Sequence, residues 1–510
     1  MSIVTWAETR AKAMTLWDIG FVKVNAMLLG MVLGAFFAPF VTQNVWWFLA
    51  IVLVLGVRSG YRWFTAQLAA LAALAAVAAG PLSAQETAVT FSRDIAPILQ
   101  RSCQSCHRPS SLAPMSLLTY QEARPYARRM KERTQLRDRQ GVMPPWFIEG
   151  DVGIQHFTND ESLTEDEIAL IAAWADSGAP EGDRADLPAP LVFPDSPSWT
   201  IGEPDLVVDL PDFTMEAHAP DWWGAVPRSP SGLTEDRYVA AMQVLEISDV
   251  EGGVGGKFIY HHAILASIDG NGRTNGSWPV HEVGRNAEYF DVASSPILQA
   301  GSQFFIPGAH MHSNDRRTTA HLRLGFKFHP RDYEPTRRRL ALTFGNGEID
   351  LRPMERGQEV DIYYTLEQNA KISTFEPHMH ASGVRMCWEA IWGGRSETIS
   401  CAGYDHNWVK VYNYDPDYAP LLPAGTLIHV TATFDTTGDN KNVVDPRNWQ
   451  GLGHRSIDNM AIVFLPGLAL SDEEFAEEVA RRRAIHGLAE GQAMLGCPLC
   501  GFSQVPVGQQ

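Results

Sequence analysis

From Leu206 to about residue 470, apolar and polar side chains alternate in short runs broken by Gly, Pro, Asp and Ser. Leu206-Val-Val-Asp-Leu, Tyr238-Val-Ala-Ala-Met-Gln-Val-Leu, Thr319-Ala-His-Leu-Arg-Leu-Gly-Phe-Lys-Phe and Leu427-Ile-His-Val-Thr-Ala-Thr-Phe are examples. A period of two sends alternate side chains to opposite faces, which predicts half-buried strands of antiparallel sandwiches. The 42 Gly and 32 Pro supply turns, and the 15 Trp suit cores built between sheets. A chain of 510 residues is long enough for three or so domains, at about 100–200 residues each. Its net charge of −18 excludes the basic footprint of a nucleic-acid binder. With 45% hydrophobic and 20% charged residues, it is neither disordered nor collagenous.

Residues 1–84 have a different character. Val24–Val41, Val45–Val57 and Phe64–Ala84 are three apolar runs in quick succession, which predicts membrane helices. Arg10, Lys12 and Lys23 precede the first run, and Arg58 and Arg62 separate the second from the third. The positive-inside rule then leaves the N-terminus in the cytoplasm and everything after residue 84 outside. The third run also has the layout of a signal peptide: basic Arg58 and Arg62, apolar Leu68–Ala79, and small residues up to Ala84. An uncleaved anchor and a cleaved signal stand as alternatives. Both deliver the bulk of the chain to an oxidising, periplasmic space.

Cys103-Gln-Ser-Cys106-His107 opens the exported part. Two thiols one helical turn apart can form thioethers to a haem, with the adjacent His beneath the iron. The competing reading, a redox CxxC or half a zinc site, lacks a βαβ context or a second CxxC nearby. Leu163-Thr-Glu-Asp-Glu-Ile-Ala-Leu-Ile-Ala-Ala-Trp174 reads as a helix with Thr164 as N-cap, ended by Asp176-Ser-Gly-Ala-Pro180. Residues 88–183 resemble the small all-α cytochrome c modules fused to exported bacterial enzymes. That resemblance implies Cys103, Cys106 and His107 as haem-binding residues. It implies Met143, before Pro-Pro-Trp, as the second axial ligand, with Met115 and Met130 as rivals.

After a linker at 184–195, histidines gather: His261-His262, His310-Met-His312 and His378-Met-His380. In a strand, residues i and i+2 share a face, so an H-x-H pair offers two imidazoles to one ion. Adjacent histidines face opposite ways and share an ion only at a strand end or a bulge. Imidazoles with a thioether, and no clustered carboxylates or thiolates, favour copper.

This order is similar to that of the copper type II ascorbate-dependent monooxygenases, which include the peptidylglycine α-hydroxylating and dopamine β-monooxygenases. The landmarks are Trp199-Thr-Ile-Gly-Glu-Pro-Asp205, Tyr260-His-His-Ala-Ile-Leu, Gly308-Ala-His-Met-His-Ser, Phe375-Glu-Pro-His-Met-His-Ala-Ser-Gly, Tyr404-Asp-His-Asn-Trp408, Leu422-Pro-Ala-Gly-Thr426 and Ile457-Asp-Asn-Met460. The resemblance implies two all-β antiparallel sandwiches, 196–345 and 346–470, each holding a copper on its side of a wet cleft. It implies His261, His262 and His312 as ligands of one ion, and His378, His380 and Met460 as the catalytic ligands of the other. The family carries a His-Tyr context where this chain has His310-Met-His312-Ser, so His310 replaces or supplements His312. The activity implied is hydroxylation of a C–H bond of a small organic substrate by O2. Electrons would come from ascorbate or, given the fused haem, from a respiratory donor. The rival reading is a non-enzymatic haem and copper electron-transfer or copper-binding protein. A nitrite- or peroxide-reducing enzyme with a blue-copper site would need a Cys among the histidines, and there is none.

Four further cysteines form two pairs. Cys387 and Cys401 flank a predicted hairpin with Gly393-Gly394 at its turn, where an oxidising space favours a disulfide. Cys497-Pro-Leu-Cys500 ends a helical tail, 471–510, that starts with a capping box at Ser471-Asp-Glu-Glu474. A local disulfide is the plainest reading of it. A redox pair and a copper-acquisition site are the others.

Overall fold

The computed structural model describes residues 30, 37–47 and 88–502, apart from positions 110, 112, 159, 194–198, 251–256, 286 and 456. The chain divides into two compact units, Met1–Ala88 and Val89–Gln510. Of the three N-terminal apolar runs, only residues 30, 37–41 and 45–47 fall among those described. They include one short helix, Ala38–Gln43. Among the described residues, no helix is long and apolar enough to cross a membrane.

The second unit begins with helices. Phe91–Ile95 and Ala96–Ser102 run into the Cys103 turn. Glu165–Asp176 starts at a capping box in which the Thr164 hydroxyl accepts from Glu167 N–H and the Glu167 carboxylate accepts from Thr164 N–H. Phe91, Ile95, Leu99, Met130, Ile171 and Trp174 form the core of this part. Met130, named as a rival to Met143, lies in this core.

Two antiparallel sandwiches follow, as the alternating pattern predicts. In the first, one sheet runs Leu206–Asp209, Thr318–Phe328, Arg237–Ser248, Glu288–Tyr289. The facing sheet runs Trp222–Pro230, Gln303–Met311, Tyr260–Ile268, Thr274–Ser277, with His281–Glu282 also paired to Tyr260–Ile268. Leu322, Leu324 and Phe326 of one sheet and Leu265, Phe304 and Ile306 of the other share the core. The second sandwich uses Arg356–Thr365, Leu427–Asp435, Gly383–Trp392, Arg395–Gly403 as one sheet. Facing it are the pairings of Thr374–Met379 with Ala461–Phe464 and of Asn369–Ile372 with Gly467–Leu470. The strand Arg356–Thr365 alternates buried and exposed residues over most of its length, as a sheet with one wet face requires.

The predicted hairpin is present. Cys387 and Cys401 stand directly opposite each other and are disulfide-bonded, and Gly393 and Gly394 make its turn with φ of +57° and +76°. Cys497 and Cys500 form the second disulfide. It packs beneath the helix Asp472–His486, which Ser471 caps as expected.

One stretch assigned by sequence to the helical module is built into the second sandwich instead. Val142, Trp146, Phe147, Ile148 and Ile154 belong to that sandwich's core. Glu149 N–H donates to Cys401 C=O at 3.0 Å, Ile154 N–H to Ile399 C=O at 2.8 Å, and Gly403 N–H to Phe147 C=O at 2.8 Å. These bonds satisfy the outer edge of the Arg395–Gly403 strand, which would otherwise be open. The approach is close enough to demand glycine. At Gly153, with φ +70°, a Cβ would lie 2.1 Å from the Ile399 carbonyl oxygen. Gly153→Ala should therefore cost about 2–4 kcal/mol, combining backbone strain with overpacking. The check is a lower urea midpoint at unchanged slope.

Candidate metal centre

The strand Tyr260–Ile268 carries His261 and His262 at its start. Its partner strand pairs His310 with His262 and then Met311 with Tyr260, skipping His261. His261 is thus the extra residue of a β-bulge. This is the irregularity two adjacent histidines need to reach one ion. The buried Glu246 carboxylate holds the strand's beginning, accepting Ile259 N–H at 2.9 Å and Tyr260 N–H at 3.0 Å.

As a result, single ligand atoms of His261, His262 and His310 lie within 4.8 Å of one another, all three residues buried. His310 Nε2 meets Asp221 at 3.1 Å, while its Nδ1 has no hydrogen-bond partner. His312 is half-buried just past the strand end, with its ring centre 5.7 Å from that of His261. Its Nδ1 lies 3.1 Å from the Ser313 carbonyl. A carbonyl only accepts, so Nδ1 carries the proton and Nε2 keeps the lone pair. The close triad therefore contains His310, with His312 beside it.

His378, on the strand Thr374–Met379, and His380, just past its end, have ring centres 5.4 Å apart. The neighbouring strand pairs Ala461 with Met379 and Ile462 with His378. Met460 immediately precedes that strand, and His380 immediately follows the strand of His378. Met460 is 7% exposed, and Asn459 before it is pinned by the Ser382 hydroxyl and by Gln450.

The two sets meet. The His262 ring centre is 5.5 Å from that of His380 and 6.0 Å from that of His378. The resemblance implies a wet cleft here, and the structure has buried rings in contact. Three ties close the gap. His378 Nδ1 donates to Glu282 of the first sandwich at 2.6 Å, Val409 N–H donates to Val283 C=O at 2.9 Å, and Trp408 lies against Gly284. Arg285 pairs with Glu376 across the same seam. A carboxylate on Nδ1 fixes the tautomer and turns Nε2 toward a ligand, a common arrangement behind metal-bound histidine.

Sequence reasoning missed Glu282 and His406. A single Glu after a His has no periodic signature. His406 lay within the landmark Tyr404-Asp-His-Asn-Trp408 but carried no role. It is buried on a turn, with its ring centre 4.2 Å from that of His261 and 5.6 Å from that of His380. Neither ring nitrogen of His406 or of His380 has a hydrogen-bond partner, and His261 Nε2 has none. Buried polar atoms are ordinarily satisfied. Burial, reinforced by the neighbouring rings, pulls His261, His262, His380 and His406 below the ordinary histidine value, so these rings are neutral. Neutral imidazoles with unused lone pairs are what a soft cation binds.

The Cys103–His107 segment forms a tight turn, with His107 N–H donating to Cys103 C=O at 2.9 Å. Both thiols are free, and burial pushes Cys103 up to about 12, which disfavours a reactive thiolate. His107 Nδ1 lies 3.3 Å from the Met115 carbonyl, which leaves Nε2 as the lone-pair nitrogen. Met143 is 40% exposed and lines a cavity of about 580 Å³ with Trp146, Phe157, Leu163 and Ile168. That volume lies within the range of cofactor pockets. Leu163, like Cys103, is partly buried against the helical core. Two residues before Met143, Gly141 N–H donates to Asp405 Oδ2 at 3.1 Å, and Asp405 precedes His406.

No protein-family model matches the chain, and no curated protein does. Among solved structures, the A223 turret protein of Sulfolobus turreted icosahedral virus is 9% identical and covers 52% of this chain and 100% of its own, with a TM-score of 0.13. The CBM22-1–CBM22-2 tandem domain of Paenibacillus barcinonensis Xyn10C is 12% identical and covers 51% of this chain and 86% of its own, with a TM-score of 0.15. Scores this low carry no argument about fold or chemistry.

The buried histidines make stability depend on pH. His261, His262, His281, His380 and His406 all resist protonation when folded, chiefly through burial. In the unfolded chain they take up protons below about pH 6.5. The unfolded state then binds more protons, so stability falls as pH drops through that window. For His378, burial opposes the charge, but Glu282 outweighs it and raises the ring above its ordinary value. Its contribution is complete below about pH 6.5 and is lost only as pH rises through its folded value. Metal-free protein should therefore lose stability from about pH 7 to about pH 5, each neutral histidine contributing up to about 1.4 kcal/mol per pH unit. Denaturant titrations across that range test it, and a flat profile contradicts it.

Proposed function

We propose that the chain is a copper-dependent monooxygenase carrying its own c-type haem, exported and tethered to the membrane. The observation that carries the metal assignment is the set of buried imidazoles at His261, His310, His380 and His406, each with at least one ring nitrogen that has no hydrogen-bond partner. Copper held there would supply one-electron redox chemistry and O2 activation for hydroxylation of a C–H bond, and a haem on Cys103 and Cys106 would supply electrons.

The ligands of one ion are His261, His262 and His310, with His312 alongside. Those of the other are His378, His380 and Met460, the thioether favouring Cu(I). Glu282 holds the His378 proton on Nδ1, and Asp221 orients His310. Trp223 stacks on His454 at 5.5 Å and lies beside His262. His107, with Nε2 available, would hold a haem attached at Cys103 and Cys106, whereas the cavity that Met143 lines does not include those three residues. The Gly141–Asp405 hydrogen bond links the Met143 loop to the residue before His406, which supports a built-in electron supply. The two disulfides support an oxidising compartment.

Full-length protein reconstituted with copper and freed of loose metal should hold two coppers and one haem. His378→Ala and Met460→Leu should each bring copper toward one while leaving the haem. One haem with no firmly held copper would leave an electron-transfer protein on a sandwich scaffold instead. Separately, Glu282→Gln should weaken copper at the His378 set by roughly 10–100-fold. A competition titration against a chelator reads that loss, and unchanged affinity would remove Glu282 from the site.

A further inference from the structure

The two sandwiches are joined around the histidine centre by contacts of unequal strength. The Glu282–His378 hydrogen bond at 2.6 Å, the Arg285–Glu376 ion pair and the Val409–Val283 main-chain bond form one group. Breaking those would leave buried polar groups unpaired, which is costly. The contact at Trp223 is of another kind. Trp223 stands opposite His310 in the strand ladder, and its ring lies over Gly308, where a Cβ would come within 2.7 Å of it. Its ring centre is 5.4 Å from that of His262 and 6.4 Å from that of His310. His454 of the second sandwich stacks on it at 5.5 Å and 17°. Among the described residues, no hydrogen bond joins the two rings. Trp223 is half-buried and His454 exposed, whereas His261, His262, His310 and His380 are buried. Trp223 therefore touches both solvent and the ring cluster, and a ring stack parts at lower cost than a buried ion pair.

We propose that the Trp223–His454 stack is the door of the histidine centre: small molecules and ions reach the buried rings when it parts, and Trp223 limits the size of what passes. The inference concerns access alone and holds whichever ion the rings bind. The loop that carries His454 is built for a limited opening. Its base is fixed by Asn459 N–H on Gly451 C=O at 3.0 Å and Gly453 N–H on Asn459 C=O at 3.1 Å, and His454 lies beyond that base. Arg455 is bonded to Asp458 of the same loop and is drawn as well by Asp221 of the first sandwich, a pull that returns the loop to its closed place. The tip swings without unpairing the strand Ala461–Phe464.

The test is the rate at which diethyl pyrocarbonate modifies each histidine of the full-length protein stripped of metal, read peptide by peptide by mass spectrometry. Exposed His218 is the reference, and His281, buried outside the ring cluster, is the control for general loosening. The His261–His262 pair and His310 should react slowly in the wild type. His454→Ala and Trp223→Ala should each speed them several-fold, up to about tenfold, the weight of one ring pair, with His218 and His281 unchanged. His454→Phe, which keeps a ring on Trp223, should stay slow. His454 is exposed, so its removal spares the core and carries the comparison if Trp223→Ala does not fold. Unchanged rates in the alanine variants would overturn the door and point to entry beside half-buried His312. Wild-type rings that react as fast as His218, or a rise that His281 shares, would overturn it too. No metal is present in this experiment, so each of these failures leaves the copper reading standing.

Discussion

Burying an imidazole while leaving a ring nitrogen unbonded costs about 1–3 kcal/mol, and this chain does so at His261, His310, His380 and His406 within a few ångströms. A domain has only about 5–15 kcal/mol of net stability to spare. Such a cluster persists only because the surrounding sheets over-determine it. The bulge at His261 and the pairing of His378 with Ile462 are backbone features, and the Glu246 carboxylate anchors the strand start. They fix the rings before any ion contributes. The side chains around the seam repeat the theme: Glu282 reaches from one sandwich to hold a histidine of the other.

Period-two alternation made the sheets legible, because a strand with one wet face can be written in few other ways. The capping boxes at Thr164 and Ser471 and the hairpin closed by Cys387 and Cys401 were legible for the same local reason. The need for a bulge at His261-His262 also followed from strand geometry alone. What was not legible depends on long-range meetings. Glu282 and His378 are far apart in sequence, and His406 has no partner at i±2 to announce it. The choice between His310 and His312 turned on where the strand ends, a matter of one or two residues.

The boundary of the helical module was similarly opaque. Met143-Pro-Pro-Trp146 reads as part of a small haem-type unit, yet Trp146, Phe147 and Ile148 fill the core of a sandwich that begins some two hundred residues later. Apolar residues in a loop do not say which core they join. Only the unpaired edge of the Arg395–Gly403 strand, and the glycines that let another backbone approach it, decide that.

That welded edge has a kinetic meaning. A redox partner that diffuses to its acceptor must find it anew each turnover, and its rate rises with concentration and falls with salt. Here the loop bearing Met143 is stitched to the sandwich by main-chain bonds on both sides of Glu149 and by the Gly141–Asp405 contact. A donor held on that loop would have a fixed separation from the histidines, so any hand-over between them would be a first-order event. It would be indifferent to dilution and ionic strength, and set only by distance and driving force.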